Sequence, residues 1–348
     1  MEAPEDDGPG PAGPGEDSIA MYVPELDAAA LETLVAAAVA APSLHAARPW
    51  RLRLEPDSRA LEVRSARGLP PSPADPAARS LHLSAGAAVF NLRVAAAHLG
   101  WEAVVRPLPA PDDPGLLAVV TLRAAGAGRS RDRDLYAAVA RCPVSRLPFT
   151  ARPVPASVVA ELCAGARAEG TRLYVPDPAA TRRVLGLTAE GEQRSFGGWG
   201  HRADTGRSRE HRAWVTPPGA CPYGTPPIAP EPLDLTRKAP VGDFLGSGRT
   251  ARIRALPLEP HVRVALLLTD GDGPEDWLRA GQAVERVLLV AAARGVRTAV
   301  LQQALDWPDL RRELPGGGFG RPQCLIRFGY GPDDEPVPRA TAGAVTRM

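Results

Sequence analysis

Apolar residues along this chain recur with two periods, and each change of period marks an element. Leu31, Leu34, Val35 and Val39 fall at helical spacing behind Asp27, a good helix-capping residue, until Pro42 breaks the run. Trp50, Leu52 and Leu54 then alternate with Arg51, Arg53 and Glu55, and after a turn at 56–58 come Leu61 and Val63. That pattern predicts a hairpin with one buried face and one wet face. A Pro-rich loop over 69–76 leads into a long helix from Ser80 to Leu99, closed by Gly100. Strands follow at Trp101–Arg106 and Leu116–Leu122.

The second half repeats these alternations less evenly. The charged run Arg129–Asp134 reads as a solvated linker into a helix that Pro143 stops. Helical spacing returns at Pro155–Arg167 and Ala179–Gln193, with a strand at Arg172–Val175 between them. From Ser195 to Arg254 no period is sustained and Gly, Pro, Arg and aromatics crowd together, which predicts a long functional loop or lid. Trp199, His201, His211 and Trp214 in it either line a pocket or pack the loop down. A strand at Val262–Leu268, a helix at Glu275–Arg294 and a strand at Gln323–Phe328 complete the reading.

Two of the long helices share a pattern. Ala85-Gly86-x-Ala88-Val89, Leu92, Ala96-Ala97 and Gly100 align without a gap to Ala280-Gly281-x-Ala283-Val284, Val287, Ala291-Ala292 and Gly295. Alanine-rich helices match easily, but shared glycines at both the start and the cap are harder to obtain by composition. The expected architecture is therefore α+β, with two tandem units forming an intramolecular pseudo-dimer. Its expected boundaries are a disordered tail over 1–20, a first unit over 21–130, and a second unit over 131–348 carrying a lid-like insertion at 195–254.

Composition narrows the function classes. A chain of 348 residues is long enough for two packed units, and its formal charge of +1 leaves no electrostatic footprint for nucleic acid or anionic lipid. Small-molecule chemistry is the remaining default. Lys238 is the single Lys among many Arg, a bias of GC-rich coding sequence. Cys142, Cys163, Cys221 and Cys324 form no Cys-x-x-Cys pair, which argues against a metal site or redox dithiol and for a reduced, cytoplasmic protein. Residues 1–20 lack the basic start and apolar stretch of a signal peptide, and the apolar runs at 31–42 and 284–293 fall short of the ~20 residues of a membrane span.

The two copies differ in one informative place. Only the first carries the loop Ala41-Pro42-Ser43-Leu44-His45-Ala46-Ala47-Arg48-Pro49-Trp50-Arg51. With the helix segment Leu83-Ser84-Ala85-Gly86-Ala87-Ala88-Val89-Phe90-Asn91-Leu92-Arg93, this loop resembles the nitroreductase family, in particular its Acg-like branch. Trp277-Leu278-Arg279-Ala280-Gly281-Gln282-Ala283, Leu301-Gln302-Gln303-Ala304-Leu305-Asp306-Trp307-Pro308 and Phe328-Gly329-Tyr330-Gly331 extend the resemblance in the right order along most of the chain.

The resemblance implies an FMN-dependent oxidoreductase in which NAD(P)H visits the flavin and a small oxidised acceptor, of the quinone or nitro class, takes the electrons. It implies one composite site per chain, a dead mirror site and a monomer that does the work of a homodimer. The cofactor-binding residues it points to are Pro42, Ser43, His45 and Arg48 in the loop and the backbone of Val300, Leu301, Gln302 and Gln303. For the phosphate it points to Arg146 and Arg339, with Arg141 or Arg48 as shifted substitutes. No catalytic acid or base is singled out.

Several positions depart from the family pattern. Ala46 stands for its Asn, Arg48 for its Gln, and Cys142-Pro143-Val144 for an Arg-Arg-Thr. Losing one or two charge-assisted bonds costs about 2–5 kcal/mol of cofactor affinity. Two other readings follow from these departures and from the inserted segment: a non-catalytic protein that sequesters FMN beneath a lid, and a scaffold without flavin. Taken without the resemblance, Ser43 reads as a turn residue, His45 as a loop histidine, and Arg48 and Arg51 as side chains lying over the strand.

Overall fold

A computed structural model describes residues 26–43, 49–55, 57–66, 78–125, 131–141, 149–197, 238–239, 256–257, 263–316 and 318–331. Helix α1 (Ala28–Ala40) begins where expected, with Asp27 Oδ1 accepting from the Ala30 amide at 2.7 Å. Strands β1 (Trp50–Glu55) and β2 (Ala60–Ser65) form the predicted hairpin, Leu52 opposite Val63 and Leu54 opposite Leu61. Helix α2 (Arg79–His98) runs into strands β3 (Trp101–Pro107) and β4 (Leu116–Ala124), its end marked by Gly100 at φ 86°. All four strands pair antiparallel in the order β1-β2-β4-β3.

After a 3-10 turn (Arg131–Leu135) and the single helical turn α3 (Tyr136–Val139), the plan repeats. Helix α4 (Ala156–Ala168) is 13 residues long, as α1 is, and leads into strand β5 (Arg172–Tyr174). Helix α5 (Pro178–Gly197) and the two-residue strands β6 (Lys238–Ala239) and β7 (Leu256–Pro257), which pair with each other, precede strand β8 (Arg263–Thr269). Helix α6 (Pro274–Ala293), strand β9 (Arg297–Leu301), the short helix α7 (Pro308–Glu313) and strand β10 (Arg321–Gly329) follow. The second sheet runs β5-β8-β10-β9, again antiparallel and in the same relative order as the first. The fold is thus α+β, with two tandem units of one plan.

The joint between the units is the pair α2 and α6. Gly86 and Gly281, equivalent in the repeat, face each other so closely that a Cβ on Gly86 would lie 2.1 Å from the Leu278 carbonyl. One on Gly281 would lie 2.1 Å from the Leu83 carbonyl, and Leu83 and Leu278 are themselves equivalent. The contact is reciprocal, as a two-fold interface requires. Contacts on either side of it, His82 with its equivalent Trp277 at 5.6 Å and Phe90 with Arg286 at 4.8 Å, show the helices running in the same direction. Leu278 is buried in the first unit's core and Leu83 in the second's, so each helix lends one leucine to its partner.

The sheets differ in cover, and the sequence pattern reflects it. On the second sheet, Leu266 and Leu268 of β8 pack with α5, α7 and Leu305, while Ala265 and Leu267 face α4 and α6. A strand covered on both faces reads as a continuous apolar run, which Val264–Leu268 is. Strand β1 keeps Arg51 and Arg53 in solvent and so alternates.

Three expectations need correcting. The described part of the charged run, 131–134, is not a solvated linker, because Asp132 is buried and paired with Arg93 and Arg286. The helix after it forms only one turn, at 136–139. Helix α5 continues to Gly197, into the segment expected to be irregular, and 238–239 pair as a strand; the rest of 198–254 lies outside the described residues, as does the tail 1–20. Strand β9 and helix α7 are added, both too short to carry a period.

Replacing Gly86 or Gly281 by Ala places a methyl group against backbone that cannot move aside, and a loss of about 3 kcal/mol or more is expected in urea unfolding; near-native stability would contradict the packing. Glu285 of α6 is fully enclosed, and burial pushes its carboxyl from 4.5 up to about 8, against the pull of a bond from Asn91. Between those values the folded chain keeps a proton that the unfolded chain has released, so stability falls as pH rises through that window and levels off above it. Glu285→Gln should flatten this slope in melts from pH 5 to 9 and raise stability at the alkaline end.

Candidate functional site

The first turn of α2 reaches across the joint into the second unit. Arg79, 7% exposed, donates from Nη1 to the Gln323 carbonyl of β10 at 2.7 Å. Its Nη2 bonds Gln302 Oε1 at 3.2 Å and the Leu305 carbonyl at 3.5 Å, with Asp306 Oδ1 3.8 Å away. Gln302, Leu305 and Asp306 belong to the turn that leaves β9. In that turn the amides of Leu305 and Asp306 both donate to the Gln302 carbonyl, at 2.7 and 3.0 Å. Pro308 at the helix start then commits the chain to α7.

Other bonds tighten the same corner. The Gln302 amide N–H donates to Gln303 Oε1 at 3.1 Å, and Gln302 Nε2 lies 3.5 Å from Cys324 Sγ. Burial pushes the Cys324 thiol up to about 12, so it stays neutral and inert. Helix α5 presses on the turn at Gly191, where a Cβ would lie 2.2 Å from the Gln303 carbonyl, and Trp307 Nε1 bonds the Gly191 carbonyl at 3.2 Å. The adjacent Glu192 carboxyl is raised to about 7 by burial.

Behind the turn, the ends of β8, β10 and α6 share a second group of bonds. Asp272 Oδ1 accepts from Trp277 Nε1 at 2.7 Å, Arg311 Nη2 at 2.8 Å and Gln323 Nε2 at 3.0 Å. Burial opposes ionisation of Asp272, but these donors outweigh it and hold the carboxyl near 2. Trp277 meets His82 of α2 edge to face, which returns the network to the first unit.

The residues singled out from the sequence fall into three groups. Val300, Leu301, Gln302 and Gln303 end β9 and enter the turn, with Gln303 buried. Pro42 and Ser43 are buried just past α1, where the loop begins. Arg141 is exposed beyond α3, while His45, Arg48, Arg146 and Arg339 lie outside the described residues. Sequence reasoning missed Arg79, Asp272, Gln323 and Arg311. Comparing the copies residue by residue carried one signal: Arg79 falls opposite Pro274.

The mirror position is open to inspection. A cavity of about 320 Å³ is lined by Pro107, Ala168, Glu169, Gly170, Glu275, Arg279 and Gln282. In the repeat, Pro107 matches Gln302, and Glu275 and Arg279 match Ser80 and Ser84. Where the first unit has the loop 41–49 between helix and strand, this side has only 169–171. Its cations are spent: Glu169 takes Arg93 Nη1 at 2.6 Å and Arg286 Nε at 2.7 Å, and both arginines also pair with Asp132. Arg279 pairs with Glu275 and Asp276.

No family model matches the chain. A Mycobacterium tuberculosis protein provisionally named an NAD(P)H nitroreductase is 32% identical over 337 residues, covering 95% of this chain and 92% of its own. A second from that organism, provisionally named NAD(P)H nitroreductase acg, is 27% identical over 325 residues, covering 89% and 92%. A Bacteroides fragilis nitroreductase solved with bound FMN aligns to 62% of this chain and 98% of its own, at 12% identity and a TM-score of 0.38. NfnB from Mycobacterium smegmatis, an FMN-dependent nitroreductase solved with NADPH, aligns to 61% and 96%, at 18% identity and a TM-score of 0.35.

Two repeated α+β units joined along one helix pair, with unlike corners on either side of the joint, define a single-chain pseudo-dimer. Identity across nearly the whole length places it further: the chain belongs to the nitroreductase family. Among the described residues, no helix is long and apolar enough to cross a membrane.

The ion cluster on the mirror side should be structural. Asp132→Asn leaves Arg93 and Arg286 sharing Glu169 alone, and about 2–4 kcal/mol of stability should be lost in urea unfolding; a change within 0.5 kcal/mol either way would show that the cluster contributes nothing.

Proposed function

We propose that the chain is an FMN-dependent oxidoreductase with a single flavin site, built between the loop after α1 and the turn after β9. The observation that carries this reading is the unlikeness of two corners that the repeat makes equivalent. At the elaborated corner, the Gln302 N–H points at a carboxamide oxygen, Gln303 Oε1, that a flavin carbonyl can replace. Pro42 and Ser43 stand at the start of the one long loop. At the mirror corner, proline at 107 has no N–H to offer. There, Glu169 and Glu275 line the cavity, and the lining Arg279 and the neighbouring Arg93 and Arg286 are already paired with carboxylates, which opposes binding of a phosphate dianion.

The residues assigned to the cofactor are Pro42, Ser43, His45 and Arg48 from the loop and the backbone of Val300, Leu301, Gln302 and Gln303. Arg146 and Arg339, with Arg141 or Arg48 in support, are assigned to the phosphate. When bound, FMN supplies the two-electron chemistry by which a hydride from NAD(P)H reaches a quinone or nitro acceptor. The chain's own contribution is positioning: it fixes the pyrimidine edge on backbone donors and excludes water on the buried side. The relatives' names, which specify NAD(P)H and nitroreduction, support this assignment. Units at 21–130 and 131–348, a lid-like insertion at 195–254, a cytoplasmic location and a monomer belong to the same proposal.

The purified protein is expected to be yellow, with FMN approaching one per chain and a monomer mass by light scattering. Anaerobic NAD(P)H should bleach the visible bands, and a quinone or nitroaromatic should restore them. Bound flavin that no nicotinamide reduces would favour the sequestering reading, and a colourless chain that refuses added FMN would end the flavoprotein assignment.

A further inference from the structure

We infer that Arg79 is a positioning residue for the flavin site, acting through Gln302 and the turn it begins rather than by touching the cofactor. The inference rests on the FMN reading above and adds a residue from outside the loop and the phosphate arginines.

The geometry is one of a fork gripping a turn. Arg79 belongs to the first unit, yet Gln323, Gln302 and Leu305, which accept its hydrogen bonds, and Asp306, 3.8 Å from it, belong to the second. A guanidinium has its donors fixed in one plane, so bonds to three different groups fix those groups relative to one another. Here they tie β10 to both ends of the turn after β9. A lysine would keep the charge and lose the fork.

The Gln302 side chain shows what the grip achieves. Its Oε1 is taken by Arg79 and its Nε2 faces Cys324 Sγ, so the carboxamide is held inward at both ends. The backbone N–H of the same residue donates to Gln303 Oε1 at 3.1 Å, so the grip on the Gln302 side chain also restrains the peptide plane that carries this donor. Release of the side chain frees the peptide plane to rotate and misaligns that donor. The repeat gives the internal comparison: on the mirror side both partners are absent, with Pro274 opposite Arg79 and Pro107 opposite Gln302.

The test uses the full chain and two readouts. In flavin-free protein, amide hydrogen exchange at Leu305 and Asp306, both bonded to the Gln302 carbonyl, should quicken in Arg79→Lys. FMN affinity, by fluorescence quenching, should weaken about ten- to hundredfold in Arg79→Met, with partial recovery in Arg79→Lys. Because Arg79 acts through Gln302, Arg79→Met should cost little more affinity once Gln302→Leu is in place. Additive losses, or unchanged affinity in Arg79→Met, would overturn the inference and leave the flavin reading intact. A wild-type chain that binds no FMN would overturn both, before any variant is made. If Arg79→Met fails to fold, Gln302→Leu decides alone: weaker FMN binding with a melting temperature near wild type supports the inference, and unchanged binding overturns it.

Discussion

Everything in this molecule hangs on the approach of two backbones at Gly86 and Gly281, close enough that neither residue has room for a methyl group. Dispersion falls off so quickly with distance that only this intimacy lets α2 and α6 act as one element shared by both units. Leu83 and Leu278 can then cross into each other's cores, and Arg79 can reach β10 and the turn after β9. The corner read as the flavin site is thus assembled from both halves of the chain, and its geometry is only as good as the fit of the helix pair.

Much of this was legible in the sequence because it is local. Asp27 as a cap, the alternation through β1 and the glycine after α2 follow from chemistry within a few residues. The repeat was legible because the close approach demands glycine on both sides and leaves a matched pair. What stayed hidden depends on distant partners. Asp132 sits in a charged run that looks solvated, yet one of its arginines lies 154 residues away. Arg79 looks like an ordinary surface residue at a helix start, and its partners are 223 to 244 residues distant. No local period encodes such pairings. The site's loop was legible as a family motif, but of its residues only Ala41, Pro42, Ser43 and Pro49 onward fall among those described.

The two corners also differ in how they handle charge. Around the mirror cavity, acids and arginines satisfy one another in a closed set that also stitches α2, α4, α6 and the 3-10 turn together. At the elaborated corner, a buried cation is held mostly by neutral carbonyl and carboxamide oxygens, with its carboxylate partner at the outer limit of pairing. The first arrangement suits a structural joint. The second ties the turn after β9 to β10 through one shared donor group.

The short connection at 169–171, opposite the long loop at 41–49, has a consequence for inheritance. In a homodimer every mutation lands twice, so a substitution that improves one active site while damaging its symmetric copy is rejected along with the benefit. Here each half is written separately in one gene. One corner can therefore change in its loops and charges without the same change being imposed on the other, a freedom that a homodimer lacks.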